Sequence, residues 1–215
     1  MNVLALQVAG ETLLLDAERA VYWPRRRCLL LADVHLGKGS VLRQAGVSVP
    51  SGQTREDLLR IDDLIARHAP QRLIVLGDLV HGRASADAPW LRQVGEWRQR
   101  HAALPMTLVA GNHDRHFDAR TLGFDVLHTA VAMAPFSLRH DPQPETGCYV
   151  LAGHVHPGVV VRDGWRRHRL PAFRFAPDCA LLPAFGALTG LHIAPPGRDE
   201  RVVAVSPAGL MALDG

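Results

Sequence analysis

Lysine is nearly missing from this chain. Of 24 basic side chains, only Lys38 is a lysine; the others are arginines. A coding bias toward arginine accounts for that ratio, and the formal net charge of +3 is too small to mark a polyanion-binding protein by charge alone. Cysteine is scarce as well. Cys28, Cys148 and Cys179 are odd in number, widely spaced and set in apolar runs. That excludes a disulfide framework and a cysteine zinc site, and fits buried free thiols in a reducing compartment. Long hydrophobic runs are absent. The longest, residues 179–188, carries Pro183 and Gly186 and is too short to cross a bilayer. The opening residues have no basic segment, and Gln7, Glu11 and Asp16 interrupt the apolar stretch after them, so no signal peptide and a cytoplasmic location are expected. No repeat, linker or low-complexity stretch occurs, so one domain over residues 1–215 is the economical reading.

The residues that are present alternate between strand-like and helix-like patterns. Residues 3–8 and 13–15 read as a hairpin, followed by a strand near 20–23. Residues 28–32 and 73–76 are short, continuously apolar strands of the kind covered on both faces, and 106–110 reads as a third strand. Between them, 54–68 and 89–101 read as helices, the first capped by Thr54 and the second opened by Pro89. Trp90 and Trp97 fall on the core stripe of the second helix. Residues 36–53 read as a loop. After Asp125 short strands dominate, at 126–131, 136–139, 148–152, 159–162, 167–175, 180–182, 191–193 and 202–205. Asp163-Gly164 marks a tight hairpin. Two facing sheets with helices outside would bury such double-sided strands.

The chemistry lies at the strand ends. Asp33-Val34-His35, Gly77-Asp78, Gly111-Asn112-His113-Asp114, His140 and Gly153-His154-Val155-His156 each follow or close an apolar run. Strand ends of an α/β sheet place such groups on short loops along one edge. In an extended chain Asp33 and His35 would point to one side, as would His154 and His156. Two-metal hydrolysis of phosphate esters needs a bridging carboxylate plus imidazole, amide or carboxylate ligands. Any one of these histidines alone would read as a hydrogen-bonded structural residue. Together their order and spacing read as a metal set. His128 competes with His140, which is preferred because it ends its strand closer to the last block.

These five blocks, in this order, resemble the calcineurin-like metallophosphoesterase superfamily. The resemblance implies a four-layer α/β/β/α sandwich and two divalent metal ions. It implies Asp33, His35 and His156 on one ion, Asn112, His140 and His154 on the other, and Asp78 bridging. His113 would assist the leaving oxygen, with Asp114 orienting its ring. One departure is His81, where many members carry Asp, Asn or Arg. Together with Asp33 to Lys38, Gly153 to Pro157 and Leu182 to Gly190, it makes the chain similar to the ligase-associated DNA damage response endonucleases. Leu191 stands where that family has a second glycine. That resemblance implies a manganese-dependent phosphodiesterase or endonuclease associated with an ATP-dependent DNA ligase and a helicase. Iron, zinc and nickel also suit the donor set.

Nucleic acid has some independent support. Arg162, Arg166, Arg167, Arg169 and Arg174 cluster on the hairpin after His156, with Trp165 at its tip. Such a group could track phosphates and stack on a base, or could simply be a charged solvated edge. Arg25 to Arg27 read as a solvated face at the far end of the strands. Lys38, just after His35, is placed to meet a phosphate. The leading expectation is DNA as substrate. The alternative is a phosphomonoesterase or nucleotide hydrolase with the same metals. A metal-free scaffold or a bare DNA-binding module would not need the full ligand set.

Overall fold

The apolar runs form the strands they predict, and their alternating faces divide the core in two. In this computed structural model, which describes residues 1–82, 84 and 88–213, one sheet has seven strands in sequence order. They are β1 (Val3–Val8), β2 (Glu11–Asp16), β3 (Ala20–Trp23), β4 (Cys28–Ala32), β5 (Arg72–Leu76), β6 (Met106–Val109) and β7 (Asp125–Leu127). β1 to β4 are antiparallel, and β4 to β7 are parallel. Helices α1 (Lys38–Gln44) and α2 (Gln53–His68) lie in the crossover from β4 to β5, and α3 (Pro89–Arg100) in the crossover from β5 to β6. The second sheet contains β8 (Val131–Met133), β9 (Phe136–Arg139), β10 (Tyr149–Ala152), β11 (Pro157–Asp163), β12 (Arg166–Phe175), β13 (Cys179–Leu181), β14 (His192–Ile193), β15 (Arg201–Ser206) and β16 (Gly209–Leu213). Its path runs β14-β11-β12-β13-β10-β9-β8, with β15 joined to β12 and β16 to β15.

Alternation along β4 explains the layering. Leu30 and Ala32 face the second sheet and pack with Phe136, Leu138, Leu151, Phe173 and Phe175. Leu29 and Leu31 face outward under Leu58, Ile61, Leu64, Trp90, Val94 and Trp97 of α2 and α3. Trp23 meets Phe136 edge to face at 4.8 Å, tying the sheets together. The protein is therefore an α/β sandwich of two mixed sheets. α2 and α3 pack on the first sheet. Among the described residues, no α-helix follows α3 in the chain.

Several local expectations change. Part of the expected loop 36–53 is α1, whose weak pattern (two glycine or serine residues before Val41) hid it. Thr54 does not cap α2. Gly52 holds that position, and the Thr54 hydroxyl accepts the Gly37 N–H instead. The segment expected as one strand at 126–131 splits into β7 and β8, which end different sheets. β16 had no strand reading, because its alternation is too short to stand out without its partner β15. Arg174 is not part of a basic surface. It is buried, its guanidinium is paired with the Glu200 carboxylate at 2.7 and 2.5 Å, and it donates to the carbonyls of Ala194 and Pro195.

That buried pair yields a stability prediction. Removing one partner strands the other charge, at a cost on the order of 3–5 kcal/mol. Arg174→Ala should lose about that much in urea unfolding. A stability loss well under 1 kcal/mol would refute the structural role.

Candidate metal centre

The motif loops are continuations of the parallel ladder. Beyond β4 and β5, Asp33 donates its N–H to Gly77, His35 to Asp78 and Leu36 to Leu79, at 3.2, 2.8 and 2.8 Å. The backbone there is not extended. Asp33, His35, Asp78, His154 and His156 all have positive φ, between 48° and 71°. This corrects the extended-chain picture of the Asp-x-His and His-x-His pairs. Each of these five residues sits in the left-handed region, which costs on the order of 1 kcal/mol for a residue with a Cβ. Five strained positions persist only because the surrounding sheet over-determines them.

Two clusters carry the carboxylates, and a third group of donors, His35, His81 and His113, shares His35 with the first. Oxygen or nitrogen donors of Asp33, His35 and His156 lie within 4.8 Å of one another, and so do those of Asp78, His140 and His154. Asp78 stands between them: its Oδ2 is 3.8 Å from His35 Nε2 and 3.7 Å from His140 Nε2. Its Oδ1 accepts the His113 N–H at 2.9 Å. Asn112 Oδ1 approaches His140 Nε2 at 3.0 Å, so Asn112 joins the second cluster. His128 does not. It lines a cleft farther along.

The donors fit cations. Asp33 Oδ1 is buried without a hydrogen-bond partner, while its Oδ2 accepts the His154 N–H. His140 Nδ1 faces the Leu76 carbonyl at 3.2 Å, so in the neutral ring Nδ1 carries the hydrogen and Nε2 is a bare lone pair. That lone pair points at Asn112 Oδ1 and at His154 Nδ1, 2.9 Å away. His35 and His156 oppose their Nε2 atoms at 3.3 Å. Converging acceptors with one orphaned buried carboxylate oxygen make a site that positive ions complete. Divalent cations bound by these residues would supply Lewis-acid polarisation of a phosphoryl oxygen and hydroxide near neutral pH.

Around this centre lie three further groups. His113 sits beside His35, with ring centroids 5.1 Å apart, and stacks on His81 at 4.7 Å. The expected contact from Asp114 to the His113 ring is not found. Both Asp114 oxygens are taken by backbone, Oδ1 by Val80 N–H at 3.1 Å and Oδ2 by Gly111 N–H at 2.8 Å. Asp114 therefore pins two motif loops together, and burial pushes its carboxyl upward. His81 is the residue the motif pattern missed, although its departure from the family pattern was visible. Its Nδ1 lies 3.0 Å from His35 Nδ1. With His35 Nε2 turned to the cluster, His35 Nδ1–H donates to His81, which leaves the His81 hydrogen on Nε2. Burial, then the nearby Lys38 ammonium, pushes His81 down to about 4, so this ring is neutral. Lys38, first residue of α1, is half-buried; burial lowers its pKa against the pull of Asp78 and Asp33.

The hairpin arginines divide by face. Register pairs Arg162 with Arg167 and Val160 with Arg169, so Arg162, Arg167 and Arg169 share one face. Arg166, opposite Asp163, lies on the other. Trp165 is fully exposed at the tip.

Close packing behind the ligands demands glycine, at Gly77 and Gly186 among other places. A Cβ on Gly77, which has φ +79°, would collide with the His140 ring. A Cβ on Gly186 would run into the Val34 carbonyl. Gly77→Ala should therefore retain its secondary structure but bind fewer metal ions per chain, read by elemental analysis after dialysis against manganese. A full complement of metal would show that His140 is not confined as described.

Known proteins are similar to this chain. A family model described as calcineurin-like phosphoesterase matches residues 26–137. The crystal structure of Pseudomonas putida nuclease MPE is similar over 99% of this chain and all of its own, at 38% identity and a TM-score of 0.87. An E. coli phosphoesterase, Yfce, aligns over 85% of this chain and 90% of its own at 17% identity and a TM-score of 0.44, too distant to carry an argument. No match was found among curated proteins. With the family model over more than half of its length and a full-length relative beyond it, the chain belongs to the calcineurin-like phosphoesterase family and is a metal-dependent phosphoesterase.

Proposed function

We propose that the chain, acting as a single domain over residues 1–215, is a two-metal phosphodiesterase that cleaves DNA internally. The observation that carries the two-metal part is Asp78 Oδ2, set nearly equidistant from His35 Nε2 and His140 Nε2. The nuclease relative supports a nucleic-acid substrate, and the resemblance to the ligase-associated endonucleases makes that substrate DNA. In this reading Asp33, His35 and His156 hold one cation, Asn112, His140 and His154 the other, and Asp78 bridges. Manganese is the proposed metal. The donors are oxygen and imidazole, with no thiolate in either cluster. A cytoplasmic repair setting, alongside an ATP-dependent DNA ligase and a helicase, is part of the same proposal.

The chain's own residues divide the work. His113 holds a proton at the leaving oxygen. Asp114 keeps the loops carrying Asp78 and His113 in register by tying Val80 and Gly111. His81 fixes the His35 ring and offers its Nε2–H beside His113. Lys38 adds positive charge on the His35 side. Arg167 and Arg169, and Arg166 on the opposite face, extend toward a substrate longer than the centre. β11 spans seven residues after His156, so the hairpin tip lies roughly 20 Å along the strand, beyond the reach of a small diester.

Two expectations test this. Asp78→Ala should abolish hydrolysis and lower bound metal toward one ion or none, because two close cations lose their shared anion. Unchanged metal and activity would remove the bridge. His113→Ala should keep its metal yet lose on the order of 10²–10⁴-fold in turnover on DNA, the range for general acid catalysis. The loss should shrink on bis-p-nitrophenyl phosphate, whose leaving group needs little protonation. Equal losses on both would mean that His113 acts electrostatically and not as an acid. Turnover of monoesters alone, with no diester cleaved, would replace this reading by the phosphomonoesterase alternative.

A further inference from the structure

We infer that a cleft beside Asn112, His140 and His154 is the track for one arm of the nucleic-acid chain, gripped at its phosphates by Arg115, Arg120 and Arg139. The inference rests on the DNA-cleaving reading above and says where the polymer lies. The cleft measures about 1290 Å³. Small-molecule sites run to roughly 300–1,000 Å³, so a single nucleotide would leave much of it empty. It opens directly on the cluster of Asp78, His140 and His154, and continues along the turn after His113 to the link between β7 and β8. β7 and β8 are the terminal strands of their sheets, so the cleft follows the edge where the sandwich parts.

The charges in the cleft are arranged for exchange. Arg115 makes no side-chain hydrogen bond or ion pair among the described residues and is exposed. Arg120 is held by Asp118 at 2.8 Å with both side chains exposed. Arg139 donates to the Gln143 carbonyl at 2.9 Å and lies 3.6 Å from Glu145. The exposed Arg120–Asp118 pair contributes about 0–1 kcal/mol, so a phosphate can replace that carboxylate at little cost, and the half-buried Arg139 stands too far from Glu145 for a hydrogen bond. The other carboxylates lining the cleft are already engaged. Asp114 is turned to backbone N–H groups, and Asp141 accepts from Gln143. The hairpin, by contrast, leaves from His156, on the other half of the centre.

The test compares three manganese-loaded proteins on an oligothymidylate across a salt series: wild type, Arg115→Gln/Arg120→Gln/Arg139→Gln, and Arg162→Gln/Arg167→Gln/Arg169→Gln. Each single-strand phosphate contact contributes about 0.7 to the slope of log affinity against log salt. The cleft variant should therefore lose about 2 from that slope and raise KM on the order of tenfold or more, with metal content and melting temperature intact. Arg120→Gln alone, at an exposed position, should lose about 0.7 and serves if the triple variant misfolds. A wild-type KM and slope in the cleft variants overturns the inference, whatever the hairpin variant does. Failure of the DNA reading looks different: the wild type would hydrolyse bis-p-nitrophenyl phosphate but cut no oligothymidylate, and the cleft assignment would fall with it.

Discussion

Everything in this molecule answers to one constraint: five of the residues that face the metal centre hold a left-handed backbone. Asp33, His35, Asp78, His154 and His156 carry Cβ atoms in a region that disfavours them. The alternative, a regular strand continuing outward, would carry residues two apart about 6–7 Å along the strand and away from a common point. The left-handed turns instead fold each ligand back toward a common point. Such geometry survives only where neighbouring bonds forbid relaxation. Those bonds are present. Gly77, Asp78 and Leu79 accept the backbone N–H groups of Asp33, His35 and Leu36 in turn. Asp114 then joins the Gly77-Asp78 loop to the Gly111 loop.

The rest of the sandwich keeps those loops where they are. The Asp33 loop is also braced from behind. Phe185 and Gly186 donate their N–H groups to the carbonyls of Ala32 and Asp33. Their own segment is strapped by Arg60, which donates to the Phe185 carbonyl at 2.9 Å and lies over the Phe185 ring. Arg60 is fixed in turn by Glu18 at 2.6 Å and Asp57 at 3.2 Å. Arg19 reaches the Ala184 carbonyl. The late Leu182 to Gly190 block, far from the other motifs in sequence, thus holds the first of them by its main chain.

Most of the fold and the metal set were legible because they depend on local patterns. Apolar runs ending in Asp, Asn or His name both the strand and its chemistry, and period decides helix or strand. The features that could not be read depend on partners distant in sequence. β16 is a strand because β15 lies beside it. α1 forms at Lys38 to Gln44 although Gly39 and Ser40 favour a helix poorly. Arg174 looked like one more arginine of a basic hairpin, yet β12 passes from surface to core along its length. Its burial pattern runs from exposed at Arg166 to buried at Phe175. Asp114 kept its place in the motif but has backbone partners that no spacing reveals. His81 was visible as a departure from pattern, and its meaning came only from the 3.0 Å approach to His35.

Geometry is over-determined at this centre, but charge is not. Asp33 and Asp78 are fully or almost fully buried, and Asp33 Oδ1 has no donor at all. Burying a carboxylate without a partner is costly. Among the described residues, the permanent cation placed to help is Lys38, itself disfavoured by burial. His81 and His35 are both driven toward the neutral form, so neither offsets the carboxylates. The protein has thus built the shape of its site with backbone bonds and left its electrostatic balance to ions from outside. Binding them returns free energy to the folded state, because no such cluster exists in the unfolded chain. The strain at five ligand residues and the unneutralised carboxylates are then two aspects of one arrangement, in which the sheets supply position and the cations supply charge.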